Sequence, residues 1–387
     1  MAQNHGKQMA KRKKEKLTAD QVITALKSRY PGKIFQSDEY SMPWVMKRLP
    51  TSILDLDIAL QGGFPAGGLS FLIGKQGVGK SWMANQIIRE QQLIYGDECS
   101  VAWVSTEMPY DKVQGQRCGV AVPLSDAELN KIKQDFISAG DTLPQEIADD
   151  MQRRVGNFIT VPPSTAEKSL DMALEIIRSR AFQVVVIDSF GSMLTDLERD
   201  KDLDEANRVG GAALLNTSFA RKLNEALSTD EYGDPNLTCV IGINQVRDNM
   251  NRANKYSPEI IETGGWALKH ARWVTVQMAK SKLREGTDRV GSTVRWEITK
   301  QKAGGHEGAK GEFDFFYSQG GIDYPLHTLQ VAADYGVIER SGSWFSYNGQ
   351  KLGQGAKKAA TEMQDKQLTE EIRDATLKAA GVKCQYK

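Results

Sequence analysis

Residues Gly74–Ser81 read GKQGVGKS, an unbroken match to the spacing G-x-x-x-x-G-K-[ST]. Before it stands LSFLIG (69–74), an apolar run with the length of a buried strand; after it, helical spacing continues to about Tyr95. A strand, a glycine-rich turn and a helix in that order let backbone N–H groups cradle phosphates. Gly74, Lys75, Gln76, Gly77, Val78, Gly79, Lys80 and Ser81 are therefore candidate triphosphate ligands. The glycines allow close backbone approach, Lys80 supplies a point charge to the β and γ phosphates, and Ser81 offers its hydroxyl to Mg2+. ATP and Mg2+ are the implied cofactors.

Further strands, SVAWVS (100–105), VVVID (184–188) and TCVIGINQ (238–245), alternate with helical stretches. That alternation implies a mainly parallel sheet with right-handed crossovers, an α/β core. Asp188 ends its strand at the carboxyl edge, where open α/β sheets bind ligands, and is the natural second Mg2+ residue. Glu107 ends VAWVSTE on the same edge, placed either to orient or deprotonate a water attacking the γ-phosphate or to lie idle on the surface. Gln245 ends the third strand and precedes a polar segment, 246–263, without apolar periodicity and long for a connection. A side chain there can report the presence of a γ-phosphate.

Around this centre the chain reads as 387 residues, 40% hydrophobic and 26% charged, enough apolar surface for a large core with smaller terminal modules. The net charge of +1 gives no global attraction to nucleic acid, so any such contact must be local. Cys99, Cys118, Cys239 and Cys384 show no metal-ligand spacing, which favours a reduced, cytoplasmic setting. No apolar run of ~18 residues offers a membrane span, and no apolar stretch follows the basic start as a signal peptide requires.

Residues 1–17 are a basic tail expected to be disordered, with Lys11, Arg12, Lys13, Lys14 and Lys16 placed either for phosphate contact or for solubility. Residues 18–48 carry a short amphipathic helix, capped by Thr18 and ended by Pro31 and Gly32, which needs a partner surface. The core spans 49–322, with extra polar helices inserted at 122–156, and 323–387 forms a small C-terminal module and tail.

The order of blocks resembles the bacterial RecA-type recombinases over roughly residues 18–356. TSILDLDIAL with GGFPAGG, then VVVIDS, INQVR, TGGWALKHA, KQKAGG and GSWFSYNGQKLGQG, stand in the family's order. The resemblance implies a RecA-like core with a short N-terminal helical module and a small α/β C-terminal module. It further implies a DNA-dependent ATPase that forms filaments on single-stranded DNA and exchanges strands with homologous double-stranded DNA in recombination and repair. Lys80 and Ser81 then hold phosphate and Mg2+, Asp188 is the second acidic element, Glu107 the general base, and Gln245 couples ATP to the second DNA loop. Lys300 and Lys302 match a lysine pair that reaches the γ-phosphate of an adjacent subunit, a cation worth ~10³-fold or more in rate.

DNA contact would fall in two loops. Loop 198–211 carries Arg199, Arg208, Gly210 and Gly211, with Arg221 on the helix beyond; loop 246–265 carries Arg247, Asn249, Met250, Asn251, Arg252, Gly264 and Gly265. Basic and amide groups hold phosphates, and Met250 can wedge between bases. Read without the resemblance, either loop is more often a solvated surface segment. A single-strand binding protein and a loader are candidate partners. His270 stands where the family has a large apolar residue, and the last residues, ATLKAAGVKCQYK, carry no acidic run. Both departures suggest a divergent member, of bacteriophage or bacterial origin, with altered regulation. The rival readings are a hexameric helicase on the same core and a regulatory ATPase that exchanges no strands.

Overall fold

The computed structural model describes residues 18–35, 39, 42, 45, 47–191, 193, 195–196, 211–249, 260–262 and 265–383. These fall into two units, 1–41 with 229–235 and 42–228 with 236–387. In the first unit, α1 (Ala19–Arg29) opens on a reciprocal capping box between Thr18 and Gln21 and buries none of its residues. Lys33 Nζ donates to the Thr229 carbonyl in the same unit.

In the second unit the chain runs β1 (Arg48–Leu49), α2 (Leu54–Ala59), β2 (Phe64–Pro65), β3 (Leu69–Gly74), α3 (Lys80–Tyr95) and β4 (Ser100–Ser105). It continues through α4 (Lys112–Arg117), α5 (Asp126–Ser138), α6 (Gln145–Met151), β5 (Asn157–Val161), α7 (Ala166–Arg178), β6 (Val184–Asp188) and α8 (Gly211–Ala226). There follow β7 (Cys239–Asp248), β8 (Ile260–Glu262), α9 (Gly265–Ala271), β9 (Arg272–Glu285), β10 (Asp288–Gln301), β11 (Lys310–Phe316) and β12 (Gly321–Ile322). The C-terminal module comprises α10 (Tyr324–Asp334), β13 (Glu339–Ser341), β14 (Trp344–Tyr347), β15 (Gln350–Gln354), α11 (Ala356–Glu362) and α12 (Lys366–Ala379).

One ten-stranded sheet has the order β12-β11-β10-β9-β3-β7-β6-β4-β5, with β8 paired to β7. Strands β5, β4, β6, β7, β3 and β9 run parallel; β10, β11 and β12 extend the sheet antiparallel. This is the α/β, mainly parallel, RecA-like architecture expected. Both faces of the sheet are covered. Val184 and Val186 of β6 pack with Met83 and Ile87 of α3, while Val185 and Ile187 pack with Leu170 and Leu174 of α7 and Phe219 and Leu223 of α8. A strand buried on both faces reads as a continuous apolar run, which explains why VVVI does not alternate. The C-terminal module has its own core around Leu329, Phe345, Leu352, Met363 and Ile372.

The register builds the functional edge. Gly74 of β3 lies opposite Gln245 of β7 and Met278 of β9, and Asp188 of β6 opposite Ser105 of β4 and Ile243 of β7. The last residues of β4, β6 and β3 therefore emerge together with Gln245 on one side of the sheet.

The structure departs from expectation in several places. Strand β7 does not end at Gln245 but runs to Asp248, because Val246, Arg247 and Asp248 pair with β8. The segment read as aperiodic thus contains both strands of a short antiparallel ladder, whose hydrogen bonds leave no apolar signature in so polar a sequence. Strands β9 and β10 extend well beyond their apolar cores to Glu285 and Asp288, since each is the other's ladder partner. The edge strand β5, half exposed, was not anticipated.

Candidate nucleotide site

The phosphate loop leaves β3 and enters α3 with no intervening turn of helix. Gly77 and Gly79 occupy left-handed backbone, at φ 68° and 104°. At Gly74 a Cβ would lie 2.5 Å from the Met278 carbonyl oxygen and 2.8 Å from Val78 Cγ1, so β9 leaves room only for glycine. Lys80 is 7% exposed, and its Nζ donates to the carbonyls of Gly74 and Lys75, each at 2.9 Å. Burial pulls the ammonium below its ordinary value, against the pull of Asp188 and Glu107. The neighbouring Ser81 Oγ donates to Asp188 Oδ2 at 3.1 Å. Burial pushes the Asp188 carboxyl up to about 6, with Glu107 adding to the rise and Ser81 and Lys80 opposing it.

Glu107 lies beyond the end of β4, where Thr106 binds both the N–H and the carbonyl of Ser189, at 2.8 and 2.7 Å. Its Oε1 accepts from Ser189 Oγ at 2.7 Å and from Gln245 Nε2 at 3.2 Å. Lys80, Ser81, Glu107, Asp188 and Gln245, distant in sequence, thus line one cleft of about 370 Å³. Its remaining wall holds Asn85, Met108, Tyr110, Asp111 and Gln114, none of which sequence reasoning singled out. Tyr110 Oη donates to Asn85 Oδ1 at 2.8 Å, and Asp111 caps α4 by accepting from Gln114 N at 2.9 Å. For Met108, Tyr110, Asp111 and Gln114 the available signal was their place in MPYDKVQ, directly after Glu107; Asn85 lies on α3, one turn beyond Ser81. Lys280 of β9 was also missed; its Nζ donates to the Gly77 carbonyl.

The donor set fits Mg2+ bound with a triphosphate. A hydroxyl and a carboxylate 3.1 Å apart are hard oxygen donors of the kind Mg2+ takes, and would leave room for water and phosphate oxygens. The raised Asp188 value marks a buried carboxylate without enough compensating charge.

Lys300 and Lys302 do not line this cleft. Lys300 Nζ donates to the Lys269 and His270 carbonyls and Lys302 Nζ to the His270 carbonyl at 2.8 Å, so the pair holds the C-terminal end of α9. Burial, then the charges of Lys302 and Arg272, brings Lys300 down to about 8.

Of the DNA-loop residues, Arg199, Arg208, Gly210, Met250, Asn251, Arg252 and Gly264 lie outside the described residues. Gly211 opens α8 and Gly265 opens α9. Arg221 is exposed but ten residues further along α8, ~15 Å from Gly211 at the helical rise. Arg247 is exposed on β7 and Asn249 follows that strand. The returning strand β8 is tied to the core by Glu262, whose Oε2 accepts from Arg272 Nη1 at 2.6 Å. Arg272 is 2% exposed and lies 3.8 Å over the Phe71 ring.

Fold and cleft together define a phosphate-loop α/β protein built to hold a nucleoside triphosphate. The family comparison narrows this. A model of the RecA N-terminal domain matches residues 124–322, and one of the RecA C-terminal domain matches 327–381. Protein RecA of Thermus thermophilus is 30% identical over 337 residues, 86% of this chain and 85% of that one. Protein RecA of Heliobacterium modesticaldum is 29% identical over 326 residues, 84% and 81% of the two chains. The crystal structure of the RadB recombinase aligns at a TM-score of 0.43 with 20% identity, covering 71% of this chain and 98% of that one. The chain belongs to the RecA family as a divergent member, and so to a family of DNA recombination and repair.

Proposed function

We propose that this protein is a DNA-dependent ATPase that assembles as a helical filament on single-stranded DNA and exchanges strands with homologous double-stranded DNA. The observation that carries this reading is the contact between Gln245 Nε2 and Glu107 Oε1. Gln245 lies on the strand that continues through Arg247 toward loop 246–265, so the cleft and that loop share one backbone.

In this scheme the backbone N–H groups of residues 74–81 cradle the phosphates, and Lys80 leaves its two carbonyls to pair with the β and γ groups. Ser81 and Asp188 would hold Mg2+, which would supply charge neutralisation for the phosphates. Glu107 orients a water in line with the γ-phosphate and accepts its proton as ADP leaves; in the resting cleft it is held for that task by Ser189 and Gln245. When a γ-phosphate engages Gln245, Glu107 is released and β7 carries the change outward. Lys300 and Lys302 act on the nucleotide of the adjacent subunit, stabilising the transition state at the shared interface. Arg199, Arg208, Arg247 and Arg252 hold phosphates, and Met250 separates bases.

The test is ATP hydrolysis by the purified protein with and without single-stranded DNA, followed by negative-stain imaging with a non-hydrolysable analogue. Stimulated hydrolysis and helical filaments support the proposal. Closed rings that unwind a forked duplex point to a helicase, and an unstimulated, unassembled protein to a regulatory ATPase.

A further inference from the structure

Helix α9 carries an indole that joins no hydrophobic cluster among the described residues. Trp266 is 76% exposed, in the first turn after Gly265, whereas Leu268 two residues on is fully buried. The ring is nonetheless held in place. The His270 imidazole stacks against it with centroids 6.2 Å apart and planes 29° off parallel, and Lys269 Nζ lies 5.5 Å from its centroid. The helix beneath is pinned at its far end by Lys300 and Lys302 and at its near end by close approach to α8, where a Cβ on Gly265 would lie 3.6 Å from Ala213 Cβ. Leu214, 75% exposed, follows that contact directly. The two helices that pack here are those on which loops 198–211 and 246–265 end.

We infer that Trp266 is a stacking platform for a base of single-stranded DNA, with Lys269 and His270 set to meet the adjacent phosphate. This deepens the DNA-binding proposal and rests on it. The occupant follows from the surroundings. The ring is bordered by Lys269 and His270, and α9 carries no acidic side chain. Protein–protein interface cores are depleted in charge, whereas a nucleotide offers a π-face and an anion together, the pair of groups this surface complements. A rigidly seated aromatic ring is also sequence-tolerant, because every base has a face to stack.

The experiment compares full-length protein with Trp266→Ala and Trp266→Phe in fluorescence anisotropy with a non-hydrolysable ATP analogue. The probes are labelled oligothymidylate and an abasic oligonucleotide of equal length and charge. The wild type should favour oligothymidylate, and Trp266→Ala should narrow that preference by about tenfold, the equivalent of ~1.4 kcal/mol, while keeping its abasic affinity. Trp266→Phe should retain most of the preference. Equal weakening on both probes, or an unchanged preference, overturns the assignment. So does sedimentation in which Trp266→Ala loses self-association without DNA, which would make the indole a contact between copies. Wild-type protein that binds neither probe overturns the DNA-binding reading itself.

Discussion

Replacing Asp188 by Asn should stabilise the nucleotide-free, metal-free protein at neutral pH. The folded carboxyl titrates at about 6, against ~3.9 for an unfolded aspartate, so the folded state holds a proton that the unfolded chain has already released between those values. Stability contributed by this group therefore falls as pH rises from ~4 through ~6, and above that window the ionised carboxylate costs about 3 kcal/mol, ~1.4 for each pH unit of displacement. Asparagine is never ionised and preserves a polar partner for Ser81. At ~2 °C per kcal/mol for a core of this size, the variant should melt about 6 °C above the wild type near pH 7.5, with most of the gain gone near pH 4.5. The assay is differential scanning fluorimetry in EDTA across that range, with the wild type subtracted so that other titrating groups cancel. Added Mg2+ and ATP should reverse the order, since ligand at ~100 times its Kd stabilises a competent site by ~2.7 kcal/mol. A gain independent of pH, or a loss at neutral pH, would refute the argument that desolvation dominates at Asp188.

Glu107→Gln should bind ATP and DNA yet turn over ~10²–10⁴-fold more slowly in steady-state hydrolysis, whereas Lys80→Ala should lose nucleotide binding; equal binding loss in both contradicts the assigned roles. Lys300→Met and Lys302→Met should be inactive alone but regain hydrolysis on mixing with Lys80→Ala protein, and failure of mixing places the pair in cis. Lys280→Met, which removes the donor to the Gly77 carbonyl, should weaken ATP affinity with little change in kcat, read by titration and steady-state kinetics; a fall in kcat at unchanged affinity contradicts a purely supporting role. Deleting residues 1–16 should lower affinity for single-stranded DNA and flatten its salt dependence by ~0.7 in slope for each tail cation that touches a phosphate. Unchanged slopes make the tail a spacer.

What the sequence reveals about the cleft is what local pattern can carry. The phosphate loop is contiguous, and Asp188, at the end of a four-residue apolar run, can be placed on the sheet edge without knowing strand order. Gln245 was placed at the cleft for a partly wrong reason: it lies there because β7 pairs with β3, not because its strand stops. Residues brought in by long-range register stay hidden. Lys280 meets Gly77 because β9 runs parallel to β3 with Met278 opposite Gly74, a pairing across some two hundred residues that no periodicity encodes. The binding of Lys300 and Lys302 to α9 is hidden in the same way, since KQKAGG shows alternating lysines but nothing of the carbonyls they reach. The role of Trp266 is not legible in TGGWALKHA, because the 3.6-residue pattern of so short a helix does not tell its inner face from its outer one.

Lys300 and Lys302, which hold the end of α9, bear on how a polymer of this chain would behave. Lys300 spends two of its three N–H donors on the Lys269 and His270 carbonyls and Lys302 one of its three on the His270 carbonyl, so each keeps a donor to offer a neighbour's phosphate. In the proposed filament each interior subunit gives its pair to the next nucleotide. The subunit at one tip has no neighbour to receive them and keeps them on its own helix, while at the opposite tip a nucleotide waits with no lysines delivered. The two tips are then chemically unlike, one carrying idle cations and the other a silent ATP, and growth and shrinkage acquire a direction set by two four-carbon stems and two charges.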